Sequence, residues 1–196
     1  MTGELPERLA VVGGGRMGSA IAQVFAAAGT TVAVFDPSAA TREAVHVRVA
    51  QACRLLGLDA AEVVGRVRTA NGIAPACAGA DLVIEAGPEN LAVKREIFAE
   101  LDALVPPEVT LATNTSAIPI GRIADGLAHP ERVLGTHFWN PPYLIPLVEL
   151  VGRGDLGAST GQGFRTWQPG QAERRLAEVN ESMLRQGRLD GPKAEE

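Results

Sequence analysis

The sequence predicts an α/β fold: a Rossmann-type doubly wound, mostly parallel sheet with a short helical appendage at its C-terminal end. Short apolar runs typical of buried strands alternate with longer segments of helical periodicity, and this alternation favours parallel strands joined by helices. A glycine-rich turn at residues 13–18 joins the first apolar run to the first helical run. The chain has 196 residues, of which 46% are hydrophobic, so it can bury a substantial core.

Each element follows from its local pattern. The apolar run 9–12 predicts the first strand, and the Ala-rich run 19–28 predicts the first helix. Further strands are expected at 31–35, 66–70, 81–86, 109–113, 132–138 and 147–151. Further helices are expected at 39–56, 89–104 and 118–127, the second of them stopped by Pro106 and Pro107.

The composition changes after Val151. Residues 153–163 are rich in glycine and have little to bury, so the first domain is expected to span 1–152. A last helix is expected at 171–188, with apolar residues near one face, followed by a polar tail. The segment 153–196 is therefore predicted to be a loop plus one helix.

The glycine turn has the spacing that a dinucleotide pyrophosphate requires. Gly13 permits the tight turn, Gly15 lets backbone N–H groups approach the phosphates, and Gly18 lets the helix pack closely on its strand. Asp36 ends the next strand, 18 residues beyond Gly18, where its carboxylate would accept hydrogen bonds from both ribose hydroxyls and repel a 2′-phosphate. NAD is therefore favoured over NADP. The alternative is an ordinary glycine turn, with Asp36 acting only as the cap of the next helix.

Charge and cysteine content exclude several classes. The net charge of −5, without a long basic run, argues against a nucleic-acid partner. No apolar run approaches membrane-spanning length, and the first residues do not form a basic leader, so membrane insertion and secretion are not expected. Cys53 and Cys77 lack a CxxC spacing and are expected to be buried thiols, forming neither a disulfide nor a metal site. A cytoplasmic location fits.

Polar residues follow two later strands. Residues 114–116 read Asn-Thr-Ser and residues 136–142 read Thr-His-Phe-Trp-Asn-Pro-Pro, at the strand ends where such folds bind ligands. With residues 84–90, Ile-Glu-Ala-Gly-Pro-Glu-Asn, and 147–150, Leu-Val-Glu-Leu, these blocks resemble the L-3-hydroxyacyl-CoA dehydrogenase family, whose NAD-binding domain would cover about the first 151 residues.

The resemblance implies a mechanism. His137 would act as the base that takes the proton of the substrate 3-hydroxyl, with Glu149 orienting its ring and Ser116 and Asn140 holding the hydroxyl. The implied cofactor is NAD, and the implied contacts are Gly13, Gly15, Met17, Gly18, Asp36, Glu89, Lys94 and Ser116. The implied substrate is a 3-hydroxyacyl-CoA of fatty acid metabolism or a small 3-hydroxy acid. Taken singly, His137 could be a strand-end histidine, Glu149 a surface acid, Ser116 a helix cap and Asn140 a turn residue.

The chain departs from the family after Val151. The helical domain that follows in full-length members, and that forms their dimer, is largely missing, and 153–196 resembles only a remnant of it. We therefore expect NAD binding to be retained better than catalytic turnover. A homodimer is kept as a hypothesis for the oligomeric state. The serine and lysine with which the family holds CoA have no obvious match after Asp36. The rival hypothesis is a catalytically silent NAD-binding module.

Overall fold

The computed structural model of the protein describes residues 5–152. The strands are β1 (Arg8–Val12), β2 (Thr31–Phe35), β3 (Val67–Ala70), β4 (Leu82–Glu85), β5 (Thr110–Thr113), β6 (Val133–Phe138) and β7 (Val148–Val151). The helices are α1 (Arg16–Ala27), α2 (Ala39–Leu56), α3 (Ala60–Gly65), α4 (Ile73–Cys77), α5 (Leu91–Leu104) and α6 (Ile120–Ile123). A 3₁₀ turn, Pro130–Arg132, leads into β6.

The seven strands form one sheet in the order β3-β2-β1-β4-β5-β6-β7. Every neighbouring pair is parallel except β6 and β7, which are antiparallel. The chain order reverses between β1 and β4, and in such sheets ligands bind in the crevice outside the carboxyl ends of the strands at this point. The predicted fold class is confirmed.

Helices cover both faces of the sheet. Along β1, Leu9 and Val11 pack into one apolar cluster with α1 and α2, whereas Ala10 and Val12 pack into a second cluster with α4, α5 and α6. A sheet buried on both faces explains why its strands read as continuous apolar runs. Cys53 and Cys77 are buried and free, as expected.

Some predicted bounds were wrong. The helix expected at 118–127 is only Ile120–Ile123, because Pro119 precedes its first turn and Gly126 takes a φ of +84°. Helices α3 and α4 were not predicted, since neither is long enough to show a periodicity. The expected domain end near 152 stays a prediction, and the helix expected at 171–188 lies outside the described residues.

A buried ion pair anchors the amino end of β6. Arg132 and Asp102 have side chains only 4% and 5% exposed, and their closest N–O distance is 2.8 Å. Burial alone would raise the pKa of Asp102, but hydrogen bonds from Arg132 and from the Ala128 and His129 amides, with the guanidinium charge, hold that pKa below its ordinary value.

We expect Arg132→Met to lower the free energy of unfolding by about 3 kcal/mol, because Asp102 would stay buried without its cation. The lowered pKa means that this stabilisation is complete above the ordinary value of 3.8 and is lost as pH falls through the lowered value. Urea unfolding at several pH values measures both effects. The control Arg95→Met removes an exposed pair with Asp125, 46% and 70% exposed, and should cost no more than about 1 kcal/mol. Equal losses in the two variants would contradict this account.

Candidate active site

The turn between β1 and α1 has no room for side chains at two of its glycines. Gly13 takes a φ of +108°, and a Cβ there would lie 2.7 Å from the carbonyl carbon of Ala86, at the end of β4. A Cβ on Gly18 would lie 1.7 Å from the carbonyl oxygen of Gly13. The tight turn and the close packing of helix on strand that the sequence predicted are both present.

The N-terminus of α1 leaves room for an anion. Gly15 is its N-cap, no side chain caps it, and no acidic residue lies in its first turn. A Cβ on Gly15 would meet nothing within 4 Å among residues 5–152 beyond its own chain neighbours. The first-turn N–H groups, that of Met17 among them, have no partner within the helix and suit a phosphate, while the Met17 side chain packs against the core. The residues present therefore fit a dinucleotide pyrophosphate.

Asp36, directly after β2, is hydrogen-bonded to the glycine turn. Its Oδ2 accepts a hydrogen bond from the Gly14 amide at 2.9 Å, and its Oδ1 accepts one from the Ser38 amide at 2.9 Å. The cap of α2 is Ser38, whose hydroxyl accepts from the Thr41 amide, so Asp36 is not the helix cap. A carboxylate accepts about four hydrogen bonds, and Asp36 therefore keeps capacity for ribose hydroxyls.

A hydrogen-bonded row joins three side chains, from the loop after β5, from β6 and from β7. His137 lies on β6 opposite Glu149 on β7, and its Nδ1 is 2.6 Å from Glu149 Oε2. Its Nε2 is 3.0 Å from the hydroxyl oxygen of Ser116, which follows β5. In the neutral ring, the Glu149 carboxylate places the proton on Nδ1, because a carboxylate only accepts, and Nε2 then keeps its lone pair toward the Ser116 hydroxyl. The His137 and Glu149 side chains are 28% and 51% exposed, so the row is open to a substrate.

Asn140 is not hydrogen-bonded to that row among the described residues. It lines a cavity of about 630 Å³ with Arg16, Arg48 and Tyr143. The sequence pointed to Asn114 only as part of a polar block and predicted no role for it: its Oδ1 accepts a hydrogen bond from the Phe138 amide at 2.8 Å and so ties the end of β5 to the end of β6.

Glu89 holds the loop that carries Ser116. Its Oε1 accepts from the Thr115 hydroxyl at 2.6 Å and from the Ser116 and Ala117 amides, each at 3.1 Å. Burial alone would raise the pKa of Glu89, but these hydrogen bonds and the nearby Lys94 charge hold it below its ordinary value. Glu89 is therefore ionised at neutral pH.

Lys94 is a buried cation. Its side chain is 0% exposed, and its Nζ lies 2.8 Å from both carboxylate oxygens of Glu85. The expected contact with a cofactor stays a prediction. Across residues 5–152 no cluster of His, Cys, Asp and Glu has the arrangement of a metal site, and no helix there is long and apolar enough to cross a membrane.

A doubly wound sheet, a glycine turn leading into an uncapped helix, and an acid after the second strand together define a dinucleotide-binding domain. The sequence model described as 3-hydroxyacyl-CoA dehydrogenase, NAD binding domain, matches residues 8–162. The chain belongs to this family and carries its NAD-binding domain.

Similar proteins and solved structures agree with this family assignment. The chain is 45% identical over 153 residues to a 3-hydroxybutyryl-CoA dehydrogenase of Mycobacterium tuberculosis, covering 74% of this chain and 53% of that protein. It is 36% identical over 151 residues to 5-formyl-3-hydroxy-2-methylpyridine 4-carboxylate 5-dehydrogenase of Mesorhizobium japonicum, covering 73% and 48%. The crystal structure of M. tuberculosis FadB2 superposes with a TM-score of 0.71 at 36% identity, covering 91% of this chain and 61% of that one. The chain thus spans about half the length of the curated relatives it matches.

Proposed function

We propose that the chain is an NAD-dependent dehydrogenase that oxidises the 3-hydroxyl of a 3-hydroxyacyl-CoA or a small 3-hydroxy acid to the ketone. The observation that carries this proposal is the hydrogen-bonded row Ser116–His137–Glu149. Ser116 and His137 lie at the carboxyl ends of β5 and β6, which are parallel to β4 and β1, so they share one edge of the sheet with the glycine turn. An alcohol oxidation needs a base at that edge, close to the hydride acceptor.

His137 would take the hydroxyl proton on Nε2 as the substrate C–H bond releases its hydride and the carbonyl forms. Ser116, now bonded to Nε2, would orient the hydroxyl, and Asn140 would assist if the loop after β6 turns it toward the row. Glu149 would hold the ring by Nδ1 and stabilise the imidazolium that the proton transfer creates. The substrate thus loses one proton to His137 and one hydride, with its two electrons, to the hydride acceptor, and this balances the two-electron oxidation.

NAD, when bound, supplies the acceptor for that hydride. The pyrophosphate would rest on the first turn of α1 beside Gly13, Gly15 and Gly18, and Asp36 would accept from the adenosine ribose. Glu89, 43% exposed and next to the Ser116 loop, would face the nicotinamide half. The match to an NAD-binding domain supports this assignment.

The substrate class follows less directly from the residues. One relative is named for a CoA thioester and another for a free pyridine carboxylate, so the family supports both kinds of substrate. Arg16 and Arg48 lie beside Asn140 in the 630 Å³ cavity and suit an anionic substrate of either kind. The buried thiols favour a reducing compartment such as the cytoplasm.

The test is NADH formation, followed by its absorbance, with L-3-hydroxybutyryl-CoA and with free L-3-hydroxybutyrate. We expect NADH with at least one of them, none with the matching D-enantiomer, and a rate lower by on the order of 10² in Glu149→Gln, which leaves the imidazolium without its carboxylate. NAD binding by calorimetry without turnover on either substrate would contradict the enzyme and favour a silent NAD-binding module.

A further inference from the structure

A fully buried ion pair lies behind the row without being part of it. Glu85 ends β4 and Lys94 lies in the first turn of α5, and both side chains are 0% exposed. Besides Lys94, the Glu85 carboxylate accepts from the Thr113 hydroxyl at 2.6 Å and from the Gly87 amide at 2.6 Å. Apart from Lys94, the partners of the Glu85 carboxylate are therefore the last residue of β5 and the turn after β4.

Burying two charges is not a favourable way to stabilise a fold. An apolar pair of the same volume often serves a core equally well or better, because it avoids desolvation of the ions. A simpler explanation for the buried pair is that the Lys94 ammonium holds a neighbouring anionic side chain in place. Lys94 Nζ has one further anionic neighbour among residues 5–152, Glu89, whose Oε2 is 3.7 Å away.

Glu89 connects the pair to the row. Lys94 attracts one of its carboxylate oxygens from the buried side, while the other accepts three hydrogen bonds from the loop 115–117. That loop carries Ser116, whose hydroxyl lies 3.0 Å from His137 Nε2. The contacts run without a gap from the core to the proposed base.

We infer that Lys94, with its charge compensated by Glu85, is a positioning residue that fixes Glu89 and through it sets the Ser116 hydroxyl against His137. This inference rests on the proposed function, since His137 is the base only there. It gives Lys94 a role that is separate from the predicted cofactor contact, and it assigns Glu85 a role in the site.

The experiment uses the full chain without cofactor or substrate. Lys94→Met removes the ammonium, and the double variant Glu85→Gln/Lys94→Met removes both charges so that no ion is left buried alone. Arg95→Met, which deletes the exposed neighbouring cation on the same helix, is the matched control. Two readouts are compared: hydrogen exchange of the Ser116 and Ala117 amides, and the ¹⁵N chemical shift of His137 Nε2. The chain has only three histidines, so the His137 signal can be assigned by substitution.

We expect exchange at Ser116 and Ala117 to become about tenfold faster in both Lys94 variants. The Gly13 amide, which donates to the Phe35 carbonyl at 2.7 Å, should keep its rate. The His137 Nε2 shift should move in the same two variants and stay unchanged in Arg95→Met. Unchanged exchange and shift in the double variant would overturn the inference, as would a uniform rise that includes Gly13, which indicates general destabilisation. Because neither readout needs turnover, an inactive chain with these responses would refute only the proposed function.

Discussion

Replacing His137 with alanine is expected to lower the rate of NADH formation by about 10²–10⁴, the usual contribution of a positioned general base. The affinity for NAD should stay the same, because the glycine turn and Asp36 that would hold the cofactor lie on other strands. Steady-state kinetics and calorimetry on the same preparation separate the two effects.

The control for that variant is His129→Ala. His129 is also partly exposed, at 41%, but it precedes β6 at the opposite edge of the sheet. Its loss should leave turnover within about twofold of the parent, since it touches no group of the row. If His137→Ala retained parental turnover, or if both variants lost it equally, the assignment of His137 as the base would be wrong.

We expect Gly18→Ala to lower the stability of the fold and Gly15→Ala to weaken NAD binding. The new Cβ at Gly18 would lie 1.7 Å from the Gly13 carbonyl oxygen, so α1 would have to move off β1. We expect the free energy of unfolding to fall by about 3 kcal/mol or more. The new Cβ at Gly15 meets no atom of the described chain within 4 Å beyond its own neighbours, so the fold should lose no more than about 1 kcal/mol.

The Gly15 methyl would instead occupy the space proposed for the pyrophosphate. We therefore expect Gly15→Ala to unfold near the parental urea concentration and to bind NAD at least about tenfold more weakly. Gly65→Ala, also with nothing within 4 Å but at the end of α3, is the control for both measurements. Parental NAD affinity in Gly15→Ala would show that the phosphates do not bind at this turn.

The parts of the fold that the sequence predicted are those with a local cause. Strands β1, β2 and β4 contain unbroken apolar runs at 9–12, 32–35 and 82–84, because both faces of the sheet are covered there. The glycine turn was predictable from its GxGxxG spacing after an apolar run. Short elements have no such signal. The sequence indicates helix α3 only through its capping residue, Asp59, and helix α4 contains a proline at its centre.

The site was predictable in its residue types and only partly in its geometry. The pairing of His137 with Glu149 depends on the register of the antiparallel β6 and β7, which the sequence does not state. The role of Glu85 and the burial of Lys94 depend on contacts among β4, β5 and α5 that are distant in the chain. Lys94 could be matched to a cofactor contact from its position in the motif, but its burial appears only in three dimensions.

The decisive measurement is a crystal structure of the chain with NAD bound. We expect the pyrophosphate on the first turn of α1, the nicotinamide ring beside Ser116, and His137 Nε2 facing the space next to that ring. Phosphates bound elsewhere, or an imidazole turned away from the ring into the interior, would contradict this expectation.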